Sequence, residues 1–131
     1  MTNQNLGYGK KIWSFAGGCI PLTSNGKEPA FTSHDKIAIL NTSAKDATIT
    51  IMIQYEGRNP VDKYEITLKA RRVKKIRFND LIDPLPVPLD TPFGFVLTSD
   101  LKVIVQFSRV DTSNDHHAAF ITTPYFKKQN E

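Results

Sequence analysis

Apolar residues in this chain recur at every second position, and no window of a dozen residues keeps the 3.6-residue period of an amphipathic helix. The clearest stretch is "ATITIMIQY", residues 47–55. There Ala47, Ile49, Ile51, Ile53 and Tyr55 fall on one face of a strand, while Thr48, Thr50, Met52 and Gln54 fall on a half-polar face that can meet water. The turn-rich "EGRNPVD" follows, with Gly57, Asn59 and Pro60. Next, Tyr64, Ile66 and Leu68 alternate with Lys63, Glu65, Thr67 and Lys69. Two alternating runs joined by such a segment predict a β-hairpin. The same pattern predicts strands at residues 10–16, 36–41, 93–98, 102–109 and 118–126, with Pro124 marking an edge or a strand end in the last. With a basic segment near residue 70, the total is about eight strands, and helix is limited to a turn or two. That spacing is expected of a sandwich or a barrel.

The 131 residues form one domain, with residues 1–8 and 127–131 expected to be flexible. Four of the eight prolines, Pro84, Pro86, Pro88 and Pro92, fall within nine residues. Proline fixes φ and lacks an N–H, so this segment is a stiff connection outside any ladder, crossing from one sheet to the other. Hydrophobic residues make up 40% and charged residues 23%, which excludes wholesale disorder. The N-terminal "MTNQNLGYGKK" has no apolar run, and no apolar stretch approaches the ~20 residues of a membrane helix. Cys19 is the single cysteine, so an internal disulfide framework is excluded and a reducing, cytoplasmic setting is expected.

Charge changes the picture at one place. Residues 69–77, "KARRVKKIR", hold Lys69, Arg71, Arg72, Lys74, Lys75 and Arg77 and no acid. The whole chain has 17 basic and 13 acidic residues, so without these six the balance is 11 to 13 and the net +4 belongs to this segment. As a strand it carries Ile76 and Phe78 on the face of Arg72 and Lys74, with Val73, Lys75 and Arg77 on the other. Such a strand is expected to enter its sheet at Lys75 and leave Arg71 and Arg72 at the rim. Three readings compete: charges that protect a sheet edge, a polyanion site able to hold DNA non-specifically, and a contact with an acidic protein. No aromatic residue interleaves to stack bases, and no recognition helix or zinc finger is present. Asn79 and Asp80 follow and are suited to closing a turn, with Asp80 in reach of Arg77 or Arg71.

Candidate catalysts fail on geometry. Ser33, His34 and Asp35 are neighbours in sequence, and neighbours on a strand point to opposite faces, so they do not build a triad. Asp111, Asp115, His116 and His117 offer only a weak metal signal. "AGGC" and "GYGK" lack the spacing of phosphate loops. No enzyme activity, cofactor or metal is expected.

Trp13, "IP" at residues 20–21, "EPAFTSHD" at 28–35, "ILN" at 39–41, "ARRVKKIRFNDLIDPLPVPLDTPF" at 70–93 and "VIVQFSRVD" at 103–111 occur in that order. Together they resemble the sensory rhodopsin transducer family over residues 9–125. The resemblance implies a small cytoplasmic antiparallel β-sandwich of about eight strands, assembling as a homotetramer, without catalytic activity. It implies a partner at the cytoplasmic face of a membrane receptor. The comparison made for relatives with carbohydrate-binding modules adds a sugar or metabolite as the alternative ligand. The matching positions are Arg71, Arg72, Arg77, Asn79 and Asp80 in the central string, with Trp13, Glu28, His34, Gln106, Arg109 and Asp111 outside it. For a sugar, Trp13, Tyr8 and Tyr125 offer stacking surfaces, and His34, Asp80, Gln106 and Arg109 offer polar contacts.

Overall fold

The computed structural model describes residues 7–25, 32–114 and 117–127. Eight strands follow one another: β1 (Lys10–Gly18), β2 (His34–Asn41), β3 (Ala47–Tyr55), β4 (Val61–Leu68), β5 (Arg72–Arg77), β6 (Phe93–Asp111), β7 (Ala118–Thr122) and β8 (Tyr125–Lys127). The only helical element among the described residues is a 3-10 turn, Phe78–Asp80. No described helix is long and apolar enough to cross a membrane.

All pairings are antiparallel and fall into two sheets that share β6. The first runs β4-β3-β6-β1-β8 and the second β5-β2-β6-β7. Residues 93–99 of β6 lie between β1 and β3, and residues 104–111 lie beside β2 and β7. The sequence pattern predicts two strands here, broken at "SDL"; the chain instead passes through as one strand of 19 residues. The polar pair at the crossing is satisfied locally: Ser99 Oγ accepts from the Leu101 N–H and Asp100 Oδ1 from the Thr48 N–H. Conversely, residues 118–126 are two strands on opposite sheets. Pro124 between them cannot donate to a ladder, and the chain changes sheet there.

The alternation sets the core. Ile49, Ile51 and Ile53 of β3, Ile37 and Ile39 of β2, and Phe95, Leu97, Val105 and Phe107 of β6 are buried. Phe78 packs on Phe93 and Phe95 with ring centres 5.0 and 5.3 Å apart, and Phe15 stacks on Phe107 at 4.1 Å. Each such side chain contributes about 1.5–3 kcal/mol through burial. The proline-rich connection links β5 of the second sheet to the start of β6 in the first. It is held by Tyr64 Oη donating to the Leu85 carbonyl, by Asp90 N–H donating to the Ile20 carbonyl at 2.7 Å, and by buried Val87. At Gly9 a Cβ would sit 2.0 Å from the Val103 carbonyl oxygen, and φ is +110°, so only glycine lets β1 begin against β6.

Candidate functional site

The basic segment forms the outer strand of the second sheet. β5 pairs with β2 in unbroken register, from Asn41 opposite Arg72 to Lys36 opposite Arg77, and with no other strand among the described residues. It therefore enters the sheet at Arg72, three residues earlier than the sequence pattern predicts. The reason lies at its base. Buried Asn41 donates Nδ2 to the carbonyls of Lys45, Leu68 and Lys69, and its Oδ1 accepts from the N–H and Oγ of Ser43. The Ala70 N–H donates to Asp46 Oδ1, and the Arg71 N–H to the Ser43 carbonyl. Arg71, with φ at 55°, turns the chain into β5. Asn41 closes the "ILN" string and Asp46 lies in none, and no charge or motif reading marks either as the base of β5.

Ile76 is the only buried side chain of β5, opposite buried Ile37. Residues 71–75 are all exposed, as is Lys69. Among the described residues, none of Lys69, Arg71, Arg72, Lys74 and Lys75 takes part in an ion pair. Arg72 reaches only the carbonyls of Ala70 and Arg71. Lys75 lies opposite Ala38, and exposed Gln106 lies opposite Ala38 on its other side, so Gln106 extends the cross-strand row of the basic edge. Arg77 differs: its Nε is 3.9 Å from exposed Asp80, and its Nη2 donates to Thr32 Oγ1 at 3.4 Å.

Arg77 and Asn79 line a cleft of about 290 Å³ with Thr32, Ser33 and Leu89. Asn79 Nδ2 donates to the Ser33 carbonyl at 3.1 Å. A second hollow, of about 440 Å³, is bordered by Cys19, Arg109 and Asp111. Arg109 is anchored there. Its Nε and Nη2 donate to the two oxygens of Asp35 at 2.7 and 3.0 Å, Nη2 also donates to the Gly17 carbonyl, and the guanidinium lies 5.4 Å from the Phe120 ring centre. Asp35 is wholly buried and also accepts from the Cys19 N–H. Burial pushes the Cys19 thiol up from its ordinary value, which opposes thiolate formation. A third groove, of about 530 Å³, runs over the first sheet and is lined by Ser14, Gln54, Glu56, Gly94 and Tyr125 among others.

Other sequence-derived candidates fall elsewhere. Trp13 is 4% exposed, donates Nε1–H to the Lys10 carbonyl and meets Phe126 edge-on, so it presents no stacking face to solvent. His34 is buried, with Nδ1 bonded to the Thr32 carbonyl. Ser33 Oγ donates to the Thr23 carbonyl and accepts from the Thr112 N–H. Ser33, His34 and Asp35 thus have three separate sets of partners. Asp111 accepts from the N–H and Oγ of Ser113, which lowers its pKa. His117 is exposed, and no described group of three His, Cys, Asp or Glu has the placement to hold a metal ion. Glu28, Asp115 and His116 lie outside the described residues.

No curated protein matches the chain. The crystal structure of Thermotoga maritima 1070 superposes with a TM-score of 0.77 at 29% identity, over 91% of this chain and 96% of that one. The structure of the Anabaena sensory rhodopsin transducer superposes with a TM-score of 0.73 at 45% identity, over 81% of this chain and 92% of that one. The family model described as Anabaena sensory rhodopsin transducer matches residues 8–126. With a match over nearly its whole length, this chain belongs to the Anabaena sensory rhodopsin transducer family.

Proposed function

We propose that this chain is a non-enzymatic, transducer-like protein of the cytoplasm that works as a homotetramer and docks an acidic face of a partner protein, such as the cytoplasmic side of a membrane receptor. The observation that carries the reading is the run of exposed cations Arg72, Lys74 and Lys75 on the outer strand β5, none of which takes part in an ion pair among the described residues. Several cations grouped on one edge steer an acidic surface into place. A tetramer multiplies that field.

The test is capture of the tagged protein from its host's detergent lysate after nuclease treatment. A receptor should be recovered with the native chain and lost with Arg72→Glu, Lys74→Glu and Lys75→Glu together. Equal recovery with the variant would overturn the reading.

The groove over the first sheet favours a second reading, a small-ligand module for a sugar or related metabolite. Tyr125 is 73% exposed at one wall, and Ser14, Gln54 and Glu56 supply polar contacts. This is the arrangement a sugar ring needs, an apolar face and convergent hydrogen-bonding groups. A ligand panel should then raise the melting temperature of the native chain and leave Tyr125→Ala unmoved.

A further inference from the structure

The second sheet ends in two unlike edges. β7 holds no charged residue, whereas β5 offers Arg72, Lys74 and Lys75 with Arg71 and Lys69 at its base. In an antiparallel pair alternate residues turn their N–H and C=O groups away from the neighbour, so β5 carries a row of main-chain donors and acceptors along its open side. No register shift interrupts the β2–β5 ladder and β5 has no proline, so that row is regular over the strand. Cations on such an edge repel a second basic or apolar strand. The same cations attract an acidic one.

Resting on the docking role proposed above, we infer that β5 receives its partner as an added strand: an extended acidic peptide that pairs main chain to main chain along the open edge. Carboxylates of one parity meet Arg72 and Lys74 on one face, and those of the other parity meet Lys75 on the opposite face. Main-chain bonds supply the attachment and the charge pattern supplies the choice of peptide. Phosphates on a nucleic acid satisfy the cations but do not continue a ladder, and β5 has no aromatic side chain to stack a base.

The experiment titrates the isotope-labelled full chain with an octapeptide in which pairs of Glu alternate with pairs of Val or Thr, so that both parities carry carboxylates, and with two copies N-methylated at either the odd or the even residues. Strand addition predicts slowed amide exchange at alternate residues of β5. It also predicts that one methylated copy binds at least about tenfold more weakly while the other binds as the parent does, since a loss near 1.4 kcal/mol is tenfold. Equal binding of both copies would overturn strand addition. No binding of any octapeptide would overturn it too. In each case the docking role stands if receptor capture still depends on Arg72, Lys74 and Lys75. Capture indifferent to those residues would instead remove the docking role itself.

Discussion

Asp35 and Arg109 lie directly opposite each other on β2 and β6, and their side chains meet twice, at 2.7 and 3.0 Å. Through the Gly17 carbonyl and the Cys19 N–H the pair also fastens the end of β1 to the second sheet. Asp35 has no exposed surface, whereas the Arg109 side chain is 22% exposed. Removing the arginine strands a buried carboxylate with one remaining donor, which costs about 3–5 kcal/mol. Asp35→Ala should cost less than Arg109→Ala, because the freed guanidinium reaches water. Urea unfolding of both single variants and the double variant measures the two losses and their coupling. Arg109 is expected to act on any partner through the fold, so lost binding in Arg109→Ala should track lost stability.

Burial, the leading cause, holds the His34 imidazole below its ordinary 6.5. The unfolded chain takes up a proton that the folded chain resists, so stability is complete above 6.5 and falls as pH drops from 6.5 towards the lowered folded value. Asp111 titrates in a separate window. Bonds from Ser113 hold its carboxyl below 3.8, so its contribution is lost only at greater acidity. Thermal unfolding between pH 7 and pH 5 should lose its slope in His34→Gln and keep it in Asp111→Asn.

The period-two pattern made most of the fold legible, because a strand with one buried face writes that face into every second residue. It read the β3–β4 hairpin and the two faces of β5 as they stand. It misplaced strand limits wherever side chains far apart in sequence decide them: Ser99 and Asp100 carry β6 through a polar step, and Asn41 and Asp46 draw Arg72 into the sheet. The site was legible to the same degree. A run of like charges is visible along a chain, so the basic edge could be found. The partner of Arg109 sits 74 residues away, and nothing in the strings that hold the two residues marks them as a pair, so the clamp could not.

The β7 edge leads to the third prediction. Ile121 is 65% exposed and Tyr125 73%, and the nine residues 118–126 contain no charge to discourage pairing. This segment, β7 with the start of β8, is therefore expected to form a contact between copies in the proposed homotetramer. Ile121→Lys with Tyr125→Lys should shift the sedimenting species from tetramer to smaller forms. Exposed positions tolerate substitution within about 0.5 kcal/mol, so the midpoint in urea should scarcely change. A tetramer that persists in the double variant places the contact elsewhere.

Asn41 gives the sharpest separation between a truncation and a nearly isosteric change. Its Nδ2 donates to three carbonyls, at 2.8, 3.2 and 3.3 Å, inside a wholly buried site. Asn41→Ala removes the side-chain partner of the Leu68 and Lys69 carbonyls and of the Ser43 N–H, while the Ser43 Oγ keeps the Lys45 carbonyl as its acceptor. The cost is about 1–3 kcal/mol for each group left unmatched that water does not reach. Asn41→Asp keeps the shape and the acceptor for Ser43, yet aims an anionic oxygen at the same carbonyls. At pH 7 the aspartate should therefore be the more damaging of the two. The electrostatic part of the damage should ease as the pH falls towards the usual carboxyl range, because a protonated carboxyl can donate to one carbonyl. Either change loosens the base of β5, so amide exchange at residues 71–73 should quicken before the core strands open. Urea midpoints at pH 7 and pH 4, with exchange rates along β5, measure both effects.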